Sequence, residues 1–369
     1  MLFSHKSHFL FIFFLMNFCK ITPCQTASQA FNRIKLHIIE MDPAKMKFFA
    51  TCLTALLLAT LAPHTTSAQT NVTITSATTS FSDGLQGDLE KIVASHRGIM
   101  GIYCEKLGDG PSEIIAINAD EIFPTASTIK VATMCAAMDQ LVSDKGPFEN
   151  YYSSMPYDET TTAGGSGWIQ NYKFGTKIEL KELIHLMITV SDNVATNMIS
   201  VWIGLDTINQ WLIDHGFEHT RQYATIGSRQ IYDKQGREEW GLGSTTPREM
   251  ARLMKMIVNG EAGTTSSTEE MLRILGHQYF DAGIAGAIPP MVYVGSKGGS
   301  VNASRSDVAI VAGPSATYIL SIYTKENVNT SWKKNENEAE LAITKISGLI
   351  WKHFHPDSTW QPAPGSENF

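Results

Sequence analysis

Cysteine is scarce, with five in 369 residues, and no CxxC or HExxH spacing occurs. A disulfide framework and the common zinc patterns are thereby excluded, and no metal or organic cofactor is indicated. No basic cluster stands out against a net charge of −7, so a nucleic-acid surface is not suggested. No repeat of solenoid period is visible. The longest apolar run is too short to define a membrane span. What is present is ordinary for a globular chain, 43% hydrophobic and 18% charged, with length for one large domain or two small ones.

Residues 46–68 read MKFFATCLTALLLATLAPHTTSA. Lys47 gives a positive start, an apolar stretch follows, and Thr66-Ser67-Ala68 is a small-residue exit. This is a secretory signal layout with cleavage after Ala68, which implies an exported, periplasmic or secreted protein. Residues 1–45 hold a second apolar patch, from His8 to Phe18, ahead of a complete signal. A signal works at the N-terminus, so Met46 or Met41 is the expected start and residues 1–45 an upstream extension. Processing at Ala68 removes six Lys/Arg and two Asp/Glu, and the net charge of the mature chain becomes −11. Only Cys104 and Cys135 remain, either as one bridge or as two buried thiols.

Residues 69–82 are a Thr/Ser-rich lead-in. A helix follows with Leu85, Leu89, Ile92 and Val93 on one face. Residues 99–118 read as two strands about a Gly-Asp-Gly turn. Residues 124–275 are dominated by helical patterns, one of them opened by Thr246-Pro247. Strands at 292–300, 307–312 and 318–324 follow. A last helix places Ala342, Ile343, Ile346, Leu349 and Ile350 on one stripe. Residues 356–369 read as an irregular tail. Strands at both ends around a helical block predict an α+β fold: a five-stranded antiparallel sheet, terminal helices packed on it, and an all-helical lobe.

Three short signals carry chemistry. The first is Ser127-Thr128-Ile129-Lys130, after Phe123-Pro124 and before the apolar segment 131–138. If Ser127 opens that helix, Lys130 lies one turn on and on the same face. A serine hydroxyl needs an adjacent base, and a lysine serves when burial or a neighbouring cation lowers its pKa. An isolated SxxK is weak evidence, as the copy Ser331-Trp332-Lys333-Lys334 in a polar stretch shows. The second signal is Ser191-Asp192-Asn193, able to relay a proton and hold a carbonyl, or simply to cap a helix. The third is Lys297-Gly298-Gly299-Ser300 at a strand end. Its glycines admit a close backbone or ligand, and Lys297, with Arg305 downstream, suits a carboxylate; an exposed hairpin lysine is the plainer alternative.

In this order the three resemble the signature of class A β-lactamases and penicillin-binding proteins. Asn197, four residues after Asn193, and Thr245-Thr246-Pro247 resemble the same family, and the likeness covers roughly residues 83–353, within a catalytic domain expected at 83–355. It implies a serine acyl-transfer hydrolase of the serine β-lactamase or D,D-peptidase fold, a monomer acting on a β-lactam or a peptidoglycan-like peptide. Ser127 would form the acyl-enzyme, Lys130 would take its proton, and Ser191 would pass one to the leaving nitrogen. Asn193 would hold the substrate amide, and Lys297, with Arg305, its carboxylate. The N–H groups of Ser127 and Ser300, after Gly299, would form the oxyanion hole. Trp168, in a Gly-Gly-Ser-Gly-Trp run, lines the mouth of the site or packs in the core.

Two features depart from the family. No ExxLN segment, source of the deacylating glutamate, precedes the TTP helix; counting back places Gln230 there, with Asp233, Glu238 and Glu239 as substitutes. Gly298 stands where Thr or Ser is usual. β-Lactam hydrolysis, a D,D-peptidase- or esterase-like reaction, and acylation without turnover are the resulting readings. Intact mass of the exported protein is expected to match a chain beginning at Gln69. A precursor peptide from residues 21–40 would contradict the downstream start.

Overall fold

The computed structural model describes residues 83–108 and 113–365. The expected extension, signal and lead-in (1–82) lie outside the described residues. One antiparallel sheet contains β1 (Ile99–Leu107), β2 (Ile114–Ile117), β3 (Tyr293–Val301), β4 (Ser304–Ala312) and β5 (Thr317–Lys325). Their spatial order is β2-β1-β5-β4-β3, so the two chain ends meet through β1 and β5, and β3 is left at one edge. The expected α+β class is the observed one.

Helices α1 (Asp83–Ser95) and α9 (Glu338–Phe354) cover one face. Leu85, Leu89, Ile343, Ile346 and Ile350 pack there on Met100, Ile102, Leu320 and Ile322. The other face meets the lobe: α2 (Lys130–Val142), α3 (Leu180–Thr189), α4 (Asn193–Ile203), α5 (Leu205–Asp214), α6 (Lys234–Trp240), α7 (Pro247–Val258) and α8 (Thr265–Leu275). The first nine residues of α2 are all buried, so it is the central helix of the lobe, apolar around its circumference rather than along one stripe. β5 is buried on both faces except at its ends, which explains its nearly continuous apolar run. Among the described residues no helix is long and apolar enough to cross a membrane.

Two local expectations shift. β4 starts at Ser304 rather than 307, because Val301 pairs with Ser304 across a two-residue turn, Asn302-Ala303. The polar Ser304-Arg305-Ser306 hides a strand that is buried at every residue but the last, Ala312. Ser127 does not open the α-helix. It lies in a 3-10 turn, Ala126–Ile129, ahead of α2, and Ala126 has φ of 45°, outside helical space. Cys104 and Cys135 are both free and buried, one in each of the two cores.

Close packing of β1 on the lobe depends on Gly101. A Cβ there would lie 2.8 Å from Asn118 O, Phe123 Cε2 and Pro247 Cγ. Gly101→Ala is expected to cost about 1–3 kcal/mol by overpacking, read as a lower urea midpoint with an unchanged slope.

Candidate active site

The three signals converge on the seam between β3 and the lobe. α2 begins at Lys130, whose side chain is fully buried. Its ammonium nitrogen donates to Ser191 O at 2.7 Å, Ser191 Oγ at 3.1 Å and Asn193 Oδ1 at 2.8 Å. None of these bonds runs to Ser127, one turn earlier and partly exposed. Burial first, and then the charge of Lys297, push the Lys130 pKa well below the lysine range, with Asp192 opposing. A desolvated amine that loses its proton is what an SxxK base requires.

Lys297, from the edge strand, is 1% exposed, unlike a hairpin lysine. It donates to Gly298 O at 2.8 Å, and burial lowers its pKa to about 8 although Asp307 raises it. Two residues on, Gly299 lets the strand reach the nucleophile turn. A Cβ there would be 2.7 Å from Thr125 O and 3.0 Å from Ser127 N. The turn is also braced from below, since Tyr323 OH donates to Thr128 Oγ1 at 2.7 Å and Thr125 N donates to Gly243 O at 2.8 Å.

The Ser-Asp-Asn turn is a helix cap and a clamp at once. Asp192 is fully buried. Its Oδ1 accepts from Ala195 N at 2.9 Å at the start of α4, and its Oδ2 accepts from Trp168 N at 2.6 Å and Ile169 N at 3.0 Å. Asn193 donates through Nδ2 to Gly164 O at 2.8 Å. The Gly-Gly-Ser-Gly-Trp loop is thereby pinned beside the lysine, and Gly167, at φ of 108°, leaves room that a side chain would take from Asp192. Trp168 is 54% exposed, so it stands at the rim and not in the core. Beyond Gly164 the rim opens into a cleft of about 530 Å³ that also involves Tyr157, Phe174 and Arg229.

Arg305 is not brought to this seam. Successive residues alternate faces along a strand; Val308 and Ile310 of β4 join the lobe core, whereas Ala309 and Val311 join the terminal-helix core. Lys297 pairs with Val308 on the lobe face, while Ser300 pairs with Arg305 and Gly298 with Asp307 on the other. The Arg305 guanidinium donates to Asn302 O, Ser304 O and Ser331 O, lies 3.4 Å from Glu340 and stacks on Trp332. The Ser331 stretch is thus a brace for Arg305.

The chain matches the model of the beta-lactamase enzyme family over residues 84–354. It belongs to that family. Solved structures of similar fold include PBP-A, at 22% identity with a TM-score of 0.63, covering 74% of this chain and 97% of that one. A β-lactamase from Sphaerobacter thermophilus matches at 23%, TM-score 0.63, over 73% of this chain and 97% of its own. One from Chitinophaga pinensis matches at 20%, TM-score 0.63, over 73% and 99%. A point mutant of PBP-A, similar at 23% and TM-score 0.64 over 74% and 97%, was solved as an acyl-enzyme with penicillin G.

The segment where the family carries its deacylating glutamate shows a feature that residue counting missed. Asn197, one turn beyond Asn193, accepts from Ile226 N at 2.8 Å and donates to Ile226 O at 2.9 Å. Ile226, not Gln230, is therefore the loop residue tied to α4. Gln230 is exposed. Asp233 caps α6 through Gln235 N and Gly236 N, Glu238 pairs loosely with Lys234 at 3.8 Å, and Glu239 is exposed. None of these four has a hydrogen bond to the lysine cluster. The side-chain amide of Asn197 was the available signal, because a buried amide must satisfy both its ends.

Asp192→Ala removes the acceptor of three backbone N–H groups and leaves them buried. It is expected to cost about 3 kcal/mol or more, read by chemical denaturation, with Asp192→Asn losing less.

Proposed function

We propose that the protein is a serine acyl-transfer hydrolase that opens β-lactams through an ester on Ser127, with release of that ester as the slow step. The observation that carries this reading is Lys130, fully buried and bonded to Ser191 and Asn193, one turn from a serine whose backbone nitrogen would lie 3.0 Å from a Cβ placed on Gly299. Ser127 Oγ attacks the lactam carbonyl while Lys130 takes the hydroxyl proton. The developing oxyanion accepts from the N–H groups of Ser127 and Ser300. As the C–N bond breaks, Ser191 passes a proton to the departing nitrogen. Lys297 pairs with the substrate carboxylate without Arg305, and Asn193 aligns the acyl amide. Processing after Ala68 would place this chemistry outside the cytoplasm.

The slow step follows from Ile226. Release needs a water made nucleophilic by a base, and the residue that Asn197 holds is an isoleucine. A D,D-peptidase-like reaction uses the same acylation on a peptide, and the same absence favours it as the second reading.

Time-resolved intact mass with a penicillin tests both. One adduct per chain, on Ser127 and lost in Ser127→Ala, is expected. No adduct would overturn the acyl-enzyme, and rapid steady turnover of a chromogenic cephalosporin would overturn slow release. Ile226→Glu is expected to speed release about a hundredfold, the lower end for a general base, whereas Gln230→Glu, at an exposed position, leaves it unchanged.

A further inference from the structure

A buried hydroxyl at the seam takes no part in the reaction above. Ser306 of β4 is 4% exposed and stands opposite Gly299 in the β3–β4 ladder. Val308 and Ile310 of the same strand join the lobe core, so strand alternation puts the Ser306 side chain on the lobe face as well. Its Oγ donates to Gly299 O at 3.2 Å. Gly299 makes that approach possible, since a Cβ there would lie 2.8 Å from Ser306 Oγ and 3.0 Å from Ser127 N. Burying a hydroxyl is unfavourable unless it is bonded, and an alanine would occupy the place without that cost. What distinguishes serine here is the bond to Gly299.

The accepting carbonyl belongs to the peptide that joins Gly299 to Ser300. The N–H of that same peptide is the Ser300 N–H, an oxyanion donor in the reaction above. Its direction follows from the ladder. Arg305 N donates to Thr324 Oγ1 at 3.0 Å, and Arg305 O accepts from that hydroxyl at 2.8 Å. The main-chain groups of Arg305 therefore face β5. Such groups alternate sides along a strand, so those of Ser306 face β3 and meet those of Gly299. Ser300 then turns its N–H away from β4. Because β3 is an edge strand, that direction is the free margin of the sheet. The same alternation puts Ser296 O on this margin, where Gln278 Nε2 donates to it at 2.8 Å.

We propose that Ser306 is a positioning residue for the oxyanion hole. Its hydroxyl fixes the plane of the Gly299–Ser300 peptide and polarises it, so that the Ser300 N–H is held as a stronger donor. The claim deepens the acyl-transfer reading and rests on it. A hydrogen bond to an amide oxygen strengthens the donor at the other end of that amide, by roughly 10–30%. Losing an oxyanion donor outright costs roughly a hundredfold to a thousandfold in rate. The matching fraction of that effect is about fourfold. Ser306 acts through Ser300 on the developing oxyanion, so the first, unreacted complex with substrate does not depend on it.

In Ser306→Ala the limiting rate of Ser127 acylation by penicillin is expected to fall about fourfold, with the dissociation constant of the initial complex unchanged. Ser306→Thr keeps the hydroxyl and is expected to restore the rate. Infrared difference spectra of the acyl-enzyme, which slow release lets accumulate, read the hydrogen bonding of the ester carbonyl. Its stretching band is expected at higher wavenumber in Ser306→Ala than in wild type or Ser306→Thr. An unmoved band overturns the proposal whatever the rate does, because a packing defect alone slows acylation without changing the donors to that carbonyl. If penicillin fails to label Ser127, the acyl-transfer reading falls instead. The 15N shift of the Ser300 amide in the unlabelled protein, which responds to a bond on the preceding carbonyl, then decides the role of Ser306. An upfield move in Ser306→Ala alone supports polarisation of that peptide, and an unchanged shift overturns it.

Discussion

Burial of two ammonium groups at one seam is the constraint on which the rest of this architecture turns. Removing a charge from water costs several kcal/mol unless the site restores its interactions. For Lys130 the restoration comes from α4 and the turn before it, through a carbonyl, a hydroxyl and an amide oxygen. For Lys297 it comes from its own strand and from a carboxylate across the sheet. Burial nevertheless pushes the pKa of Lys130 well below the lysine range and that of Lys297 down to about 8, so both groups give up a proton more readily than a solvated lysine.

Satisfying those lysines dictates the surrounding geometry. The Ser-Asp-Asn turn has to present three oxygens in one direction, and it does so with Ser191 at φ of 54°, a conformation that needs support from outside the turn. Asp192 supplies it by gathering N–H groups from α4 and from the glycine-rich loop. On the opposite wall, Ala126 is likewise left-handed, and the hydroxyl chain from Tyr323 through Thr128 braces it. Strain on both walls of the cleft is compensated by buried polar networks, not by extra apolar contact.

Much of this was legible in the sequence because the motifs lie at element boundaries, where local chemistry is explicit. The 3.6-residue stripes of α1 and α9 and the apolar run of β5 predicted the layers, and the three triplets predicted which elements had to meet. The roles of Arg305 and of the loop before α7 were less legible. Arg305 lies eight residues from Lys297 in sequence, but strand alternation and a two-residue turn place it on the far face, and no composition signal records a register. Counting back from Pro247 gave Gln230, whereas Asn197 holds Ile226, because loop length is not conserved by geometry in the way helix spacing is.

The position of the two thiols has a consequence of its own. Cys104 belongs to the core under the terminal helices and Cys135 to the core of the lobe, so the sheet itself stands between them. Burial also holds both thiols in the unreactive protonated form. Among the described residues, packing of the two cores therefore owes nothing to a disulfide.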